Sequence, residues 1–253
     1  MTGVRIEADR VSVHLPVFNI NSLSLKKNLL RLGTNGRIHA GSKHLVIEAL
    51  RSISFVFEEG DRVGIVGLNG AGKTTLLRTI AGIFRPTGGR LDVVGRVVPL
   101  LMVGAGMYDD ASGYENIRSC ALQHGMSVPE IEAKIDEIAE FTALGTYLSL
   151  PLYTYSAGMR MRLSYAVATA IESDILVLDE VIGAGDAVFA QTCAQRFSAL
   201  LGRTRIIVLA THDSGSIRRY CNKALLLREG QVTDFGPTEG VLKTYERTIA
   251  QMA

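Results

Sequence analysis

Apolar and polar positions alternate at two periods along this chain, and the switches between them mark its elements. Residues 4–13 alternate with a period of two through Val4, Ile6 and Ala8, with charges between, which predicts a strand. Residues 45–57 do the same through Ile53, Phe55 and Phe57, and Glu59-Gly60-Asp61 then predicts a turn. Val63–Val66 is a short apolar strand that runs into Gly67, and Leu76–Ile83 continues as helix. Residues 91–103 read as further strand. Helical spacing returns over 129–144 (Ile131, Ile135, Ile138, Phe141) and over Met159–Ile171. Ile175–Leu178 and Arg205–Ala210 are unbroken apolar runs, as expected of strands buried on both faces. Leu225–Leu227 and Gln231–Thr233 predict a late hairpin. Strands alternating with helices about a buried sheet make this an α/β chain.

Composition narrows the function classes. The chain has 253 residues, 47% hydrophobic and 21% charged, which suits a globular chain with a sizeable core. A formal net charge of +2 is too small to argue for nucleic acid. Cys120, Cys193 and Cys221 are scattered without metal-ligand spacing, as reduced cytosolic thiols are, and the five histidines are equally dispersed. The N-terminus patterns as a strand, not as a secretory signal. Every apolar run is broken by charge before the ~18–20 residues that span a bilayer, so a membrane role is expected to be peripheral or through a partner. Residues 11–47 hold no Asp or Glu but carry Lys26, Lys27, Arg31, Arg37 and Lys43, and Asn21–Leu32 within them reads as a basic helix.

Gly67-Leu68-Asn69-Gly70-Ala71-Gly72-Lys73-Thr74 matches the phosphate-loop pattern G-x-x-x-x-G-K-[ST], with Thr75 following in the helix. Glycines permit a close backbone approach that a Cβ would block. Backbone N–H groups and the N-terminus of the following helix face an anion. Lys73 supplies a point charge to the outer phosphates, and the Thr74 hydroxyl is a ligand for Mg²⁺. The alternative is a plain glycine turn, which the full match and the apolar strand before it argue against.

Ile175–Leu178 ends in Asp179 and Glu180, at the carboxyl edge of a buried strand where ligands of open α/β sheets bind. Asp179 is expected to hold Mg²⁺, directly or through water. Glu180 is expected to activate the attacking water, and such a base contributes roughly 10²–10⁴ in rate. His212 follows the apolar run Ile206–Ala210 and is expected at the γ-phosphate. Tyr155-Ser156-Ala157-Gly158-Met159 precedes a helix, with Ser156 as N-cap, and makes a second anion site. One nucleotide has no evident need of both loops in a single chain.

With these residues in this order, nearly the whole chain resembles the ATP-binding-cassette family. The resemblance implies a P-loop ATPase fold with a mainly parallel central sheet, an antiparallel β subdomain and a helical signature subdomain. It implies one nucleotide-binding domain over 1–253, with the helical part at roughly 105–165 and a basic insertion at roughly 20–43. The family's signature Leu-Ser-Gly-Gly-Gln reads Tyr155-Ser156-Ala157-Gly158-Met159 here. The resemblance implies that Ser156, Ala157, Gly158 and Met159 contact ATP held by a second copy, in a head-to-tail dimer with ATP and Mg²⁺ as cofactors.

Three positions depart from the family pattern. Gly183-Ala184-Gly185-Asp186 replaces the usual Ser-Ala-Leu-Asp, keeping Asp186 for the dimer loop. The family's Gln, expected near Met102–Val103, is absent. The adenine-stacking aromatic falls at His44.

These departures, with Gly104-Ala105-Gly106, Ser112–Ile117, Arg160 and Leu15-Pro16-Val17-Phe18-Asn19, resemble the ATPase subunits of polysaccharide exporters. That resemblance implies a lipid-linked O-antigen, capsule, teichoic acid or galactan cargo. It implies a multi-span membrane permease as partner, met through residues around 100–125, and a peripheral place on the cytoplasmic face of the membrane, without nucleic acid. Some such subunits carry a C-terminal carbohydrate-binding domain, and a chain ending at Ala253 is expected to lack one. The basic 21–32 helix is expected to meet lipid phosphates, each cation being worth about 1 kcal/mol at an anionic surface. Two other classes compete. A soluble cassette ATPase usually holds two cassettes, whereas one phosphate loop and one signature stand here. A P-loop kinase or GTPase leaves Tyr155–Met159 unexplained.

Overall fold

The computed structural model describes residues 3–17, 38–40, 45–101, 106–179 and 187–251. The predicted basic helix at 21–32 and His44, Met102–Val103, Glu180 and Asp186 lie outside the described residues. The chain forms two compact units, Met1–Gly95 with Ile206–Ala253, and Arg96–Arg205.

The first unit holds an antiparallel sheet of β1 (Arg5–Val17), β2 (Ile38–Ala40), β3 (Leu45–Glu58) and β5 (Gly88–Val94), in the order β2-β3-β1-β5. Alternation places Ile6 and Ala8 inside, but Val11 and Val13 are buried too, out of phase with them. A bulge resolves this. The register slips between Ala8 and Val11, and Arg10 takes φ +50. One extra residue resets the parity, so four apolar residues of β1 face one core. Ser52, at φ +47 on β3, does the same opposite, and its N–H donates to Ser12 Oγ at 2.9 Å.

The same unit holds β4 (Arg62–Val66), β8 (Ile206–Ala210), β9 (Lys223–Arg228) and β10 (Gln231–Pro237). Strand β4 pairs in parallel with β8 on one side and β9 on the other, and β10 closes antiparallel on β9. Val63, Ile65, Ile206, Val208 and Ala210 are almost wholly buried, as the apolar runs predict. Helix α1 (Lys73–Ile80) follows β4, α6 (Ser214–Tyr220) follows β8, and α7 (Thr238–Ala250) follows β10. Helix α1 stops three residues short of the predicted Ile83.

The second unit pairs β6 (Val97–Leu100) in parallel with β7 (Ile175–Asp179). The predicted 91–103 strand is therefore two strands. They break at Gly95, φ +129, where the chain passes between units. Helices α2 (Gly113–Gln123), α3 (Val128–Thr142), α4 (Ala157–Ala170) and α5 (Ala187–Arg203) complete this unit. Ser112 and Glu115 form a capping box at α2, and Ser127 and Glu130 form another at α3. No helix among the described residues is long and apolar enough to cross a membrane.

Candidate functional site

The phosphate loop grows out of the end of β4. Gly67 is buried, and a Cβ there would lie 2.2 Å from the Leu227 carbonyl oxygen. Gly72 caps α1 at φ +110, and its Cβ would lie 2.8 Å from the Ala49 carbonyl oxygen. Both glycines are thus required by the chain's own backbone, whatever binds. No side chain caps α1, and its first turn carries no acid. The helix start keeps its positive field for an external anion. Lys73 is almost fully buried, and its Nζ donates to the carbonyls of Gly67 at 2.7 Å and Leu68 at 3.2 Å. Those bonds hold the ammonium on the loop's own backbone carbonyls. Thr74 and Thr75 are half-buried on the first turn.

His212 belongs to the same sheet edge. Strands β4 and β8 run parallel with Ile65 opposite Ala210, so their carboxyl ends deliver Gly67 and His212 side by side. His212 is exposed, between β8 and α6. Asp213 caps α6, accepting from Gly215 N–H at 3.1 Å and Ser216 N–H at 2.9 Å, and its own N–H donates to Thr211 Oγ1 at 3.1 Å. These bonds fix the turn that carries the imidazole. They also hold the Asp213 carboxyl below its ordinary range, the Ser216 hydroxyl contributing most.

In the second unit Asp179 ends β7, half-buried, after four residues with almost no exposure. The signature opens α4. Ser156 is its N-cap, and its Oγ accepts from Met159 N–H at 3.2 Å. Ser156, Ala157 and Gly158 are exposed. A Cβ on Gly158 would meet only Ser156 Oγ, at 3.9 Å, so nothing among the described residues requires a glycine there. A cavity of about 720 Å³ opens beside this helix start, lined in part by Tyr147, Met159, Arg162 and Phe189.

The 108–112 loop is organised by a residue whose role the sequence did not disclose. Asn116 is fully buried. Its amide accepts from Tyr108 N–H at 2.7 Å and donates to the carbonyls of Tyr108, Ala111 and Ser112 at 2.9–3.1 Å. The signal for it was Glu115-Asn116 directly after a helix-capping Ser: an Asn at a core position of a helix needs partners, and only a folded-back loop supplies them. Arg160, on α4, forms an ion pair with Asp109 of that loop.

Residues 50–183 match the family model for ABC transporters. This chain belongs to the ABC transporter family. It is 43% identical over 223 residues to RfbE, an O-antigen export system ATP-binding protein of Yersinia enterocolitica, covering 93% of that relative. It is 40% identical over 205 residues to RfbB, the protein so described in Myxococcus xanthus. It is 37% identical over 201 residues to TagH of Lactococcus lactis, a teichoic acids export ATP-binding protein. These alignments cover 88%, 81% and 79% of this chain. The chain spans 47% of RfbB and 43% of TagH, about half the length of each.

Solved ABC structures share the fold. An ATP-binding subunit of an ABC transporter superposes with a TM-score of 0.68 at 20% identity, covering 95% of this chain and 93% of that one. A dimeric cassette bound to ADP and Pi superposes with a TM-score of 0.65 at 18% identity, covering 92% and 98%. As an ABC ATPase this chain binds and hydrolyses nucleotide.

Proposed function

We propose that this chain is the ATP-hydrolysing subunit of a transporter that exports a lipid-linked polysaccharide of the O-antigen, capsule, teichoic acid or galactan type across the cytoplasmic membrane. The likeness to RfbE carries this reading, because it runs over nearly all of that relative at 43% identity. A multi-span permease is the membrane partner, and residues around 100–125 are its contact, with the chain peripheral on the cytoplasmic face.

Each site residue takes a role suited to its chemistry. Gly67–Thr75 bind the phosphates, and Lys73 neutralises charge on the outer ones. The Thr74 hydroxyl and the Asp179 carboxylate are hard oxygen donors of the kind Mg²⁺ takes, and they are its ligands in this reading. Bound Mg²⁺ supplies charge neutralisation on the phosphate oxygens. Glu180 accepts a proton from the attacking water, and His212 donates to the γ-phosphate. His44 stacks on adenine. Ser156, Ala157, Gly158 and Met159 reach the nucleotide of a second copy, beside Asp186 of the dimer loop. An exposed glycine that no neighbour in its own chain requires supports that trans role.

Replacing Lys73 by Ala in the source organism tests the reading. Surface polysaccharide, followed by antibody or lectin binding, should be lost, and lipid-linked polymer should accumulate inside. Unchanged surface polymer would overturn export. Glu180→Gln should in turn trap an ATP-bound dimer visible by size-exclusion chromatography.

A further inference from the structure

The phosphate loop is held from behind by a second turn, far away in the sequence. The β9–β10 hairpin turns through Arg228-Glu229-Gly230-Gln231, with φ of +49 at Glu229 and +78 at Gly230. Positive φ at both central residues makes it a tight primed turn. Gly230 N–H donates to the Ala71 carbonyl at 2.8 Å, and Arg51 N–H donates to the Gly230 carbonyl at 2.8 Å. Arg51 Nε also donates to the Glu229 carbonyl at 3.1 Å. The turn therefore links β3 to the phosphate loop through backbone groups on both sides of one glycine.

Space at this junction is exhausted. A Cβ on Gly230 would lie 2.6 Å from the Ala49 carbonyl oxygen. That oxygen is the atom a Cβ on Gly72 would meet at 2.8 Å. Around the loop's tip, by contrast, a cavity of about 330 Å³ lies between Leu68–Gly70 and α7.

The bond at Ala71 has a directional consequence. Across a trans peptide the carbonyl and the next N–H point in opposite directions, and the described chain has no cis peptide. Holding the Ala71 carbonyl on Gly230 aims Gly72 N–H away from the turn. We propose that the Glu229–Gly230 turn is a strut that sets this peptide for phosphate binding, which makes Gly230 and Arg51 positioning residues for ATP. The proposal rests on ATP binding at Gly67–Thr75 and is independent of the cargo.

Equilibrium titration of the full chain with the fluorescent nucleotide mant-ATP tests it, together with kcat and KM for ATP. Gly230→Ala should weaken mant-ATP binding and raise KM by roughly 10-fold, while kcat per folded chain stays within about 2-fold, the pattern of lost uniform binding. Ile6→Ala, which removes buried volume in β1 opposite Phe57, six residues along β3 from Arg51, should lower the Tm and leave KM unchanged. A purely structural role for Gly230 predicts the same pattern as Ile6→Ala. If Gly230→Ala does not fold, Arg51→Met reads the same strut and should raise KM by about 3-fold. Wild-type binding with unchanged affinity in the folded strut variants would overturn the strut alone. A wild-type chain that binds no mant-ATP would overturn the ATP site and the strut with it.

Discussion

Two glycine-bearing loops in this chain open helices toward an anion, and they are built on opposite plans. At the phosphate loop the glycines answer to the chain itself. Gly67 faces Leu227 O at 2.2 Å and Gly72 faces Ala49 O at 2.8 Å, measured from the Cβ each lacks. At the signature, Gly158 faces open space. The first loop is over-determined by its own fold and arrives shaped for phosphate. The second is an exposed helix start whose glycine no described neighbour requires. Under the proposed function, the first loop is one half of a nucleotide site and the second is the half a partner copy would use.

The sharpest way to break this comparison is a pair of alanines. Gly67→Ala should cost the fold about 2–4 kcal/mol through overpacking against a backbone carbonyl, and should abolish nucleotide binding. Gly158→Ala should leave the Tm unchanged or slightly raised, since Ala is the better helix former by up to about 1 kcal/mol. It should still lower ATP hydrolysis at least about 10-fold if its hydrogen faces a partner's nucleotide. Thermal melts and steady-state ATPase assays on both variants check this. Equal loss of stability in the two would end the contrast.

Asn116→Leu comes next in size. It leaves Tyr108 N–H without its acceptor and takes one donor from three loop carbonyls that keep the N–H groups of Ala111, Leu152 and residue 116, which should cost about 1–3 kcal/mol in urea melts. Ser156→Ala should cost about 1 kcal/mol as a lost cap. Its effect on hydrolysis should exceed what that stability loss explains if, as proposed, the same hydroxyl reaches the nucleotide of a second copy.

The pH response separates the two units by their caps. Glu115 is held below its ordinary pKa by the capping Ser112, and Asp213, itself a cap, by the Ser216 hydroxyl and N–H it accepts from. Their stabilisation is complete above the ordinary carboxyl range and is lost as pH falls through the depressed values. Ser216→Ala should therefore lower stability at neutral pH and flatten the acid-induced loss, as read by circular dichroism from pH 6 to 2. The smallest effect concerns thiols. Burial pushes Cys120 up to about 11 and Cys221 up to about 12, so both stay neutral at pH 8. Iodoacetamide should leave them unmodified in the native chain and label them in urea, as seen by mass spectrometry.

The phosphate loop, the buried strands that end at Asp179 and just before His212, and the Ser156 cap were legible because each is local. A pattern of eight consecutive residues, or four apolar residues before an acid, specifies its own geometry. Helices α2, α5 and α7 were harder to read. Asn116 sits on the buried face of α2, and Thr238 and Tyr245 supply buried positions of α7. These polar side chains blur a 3.6-residue period that depends on apolar ones. The β1 bulge likewise breaks strict alternation, since Arg10 shifts the parity of everything after it.

The chain alone placed a glycine-rich turn with a lysine after an apolar strand, which the structure forms with Lys73 folded onto the loop's carbonyls. It also determined the family, through the order of its motifs. Tertiary structure decided what stands beside them. Pairing of β4 with β8, some 140 residues apart in the chain, puts His212 next to the loop. A hairpin turn later still puts Gly230 against Ala71. Those contacts are backbone hydrogen bonds between distant segments, and apart from the missing Cβ of Gly230 they do not depend on which side chains stand there. For that reason no pattern of residues announces them, and for the phosphate loop they are what makes a glycine-rich turn rigid.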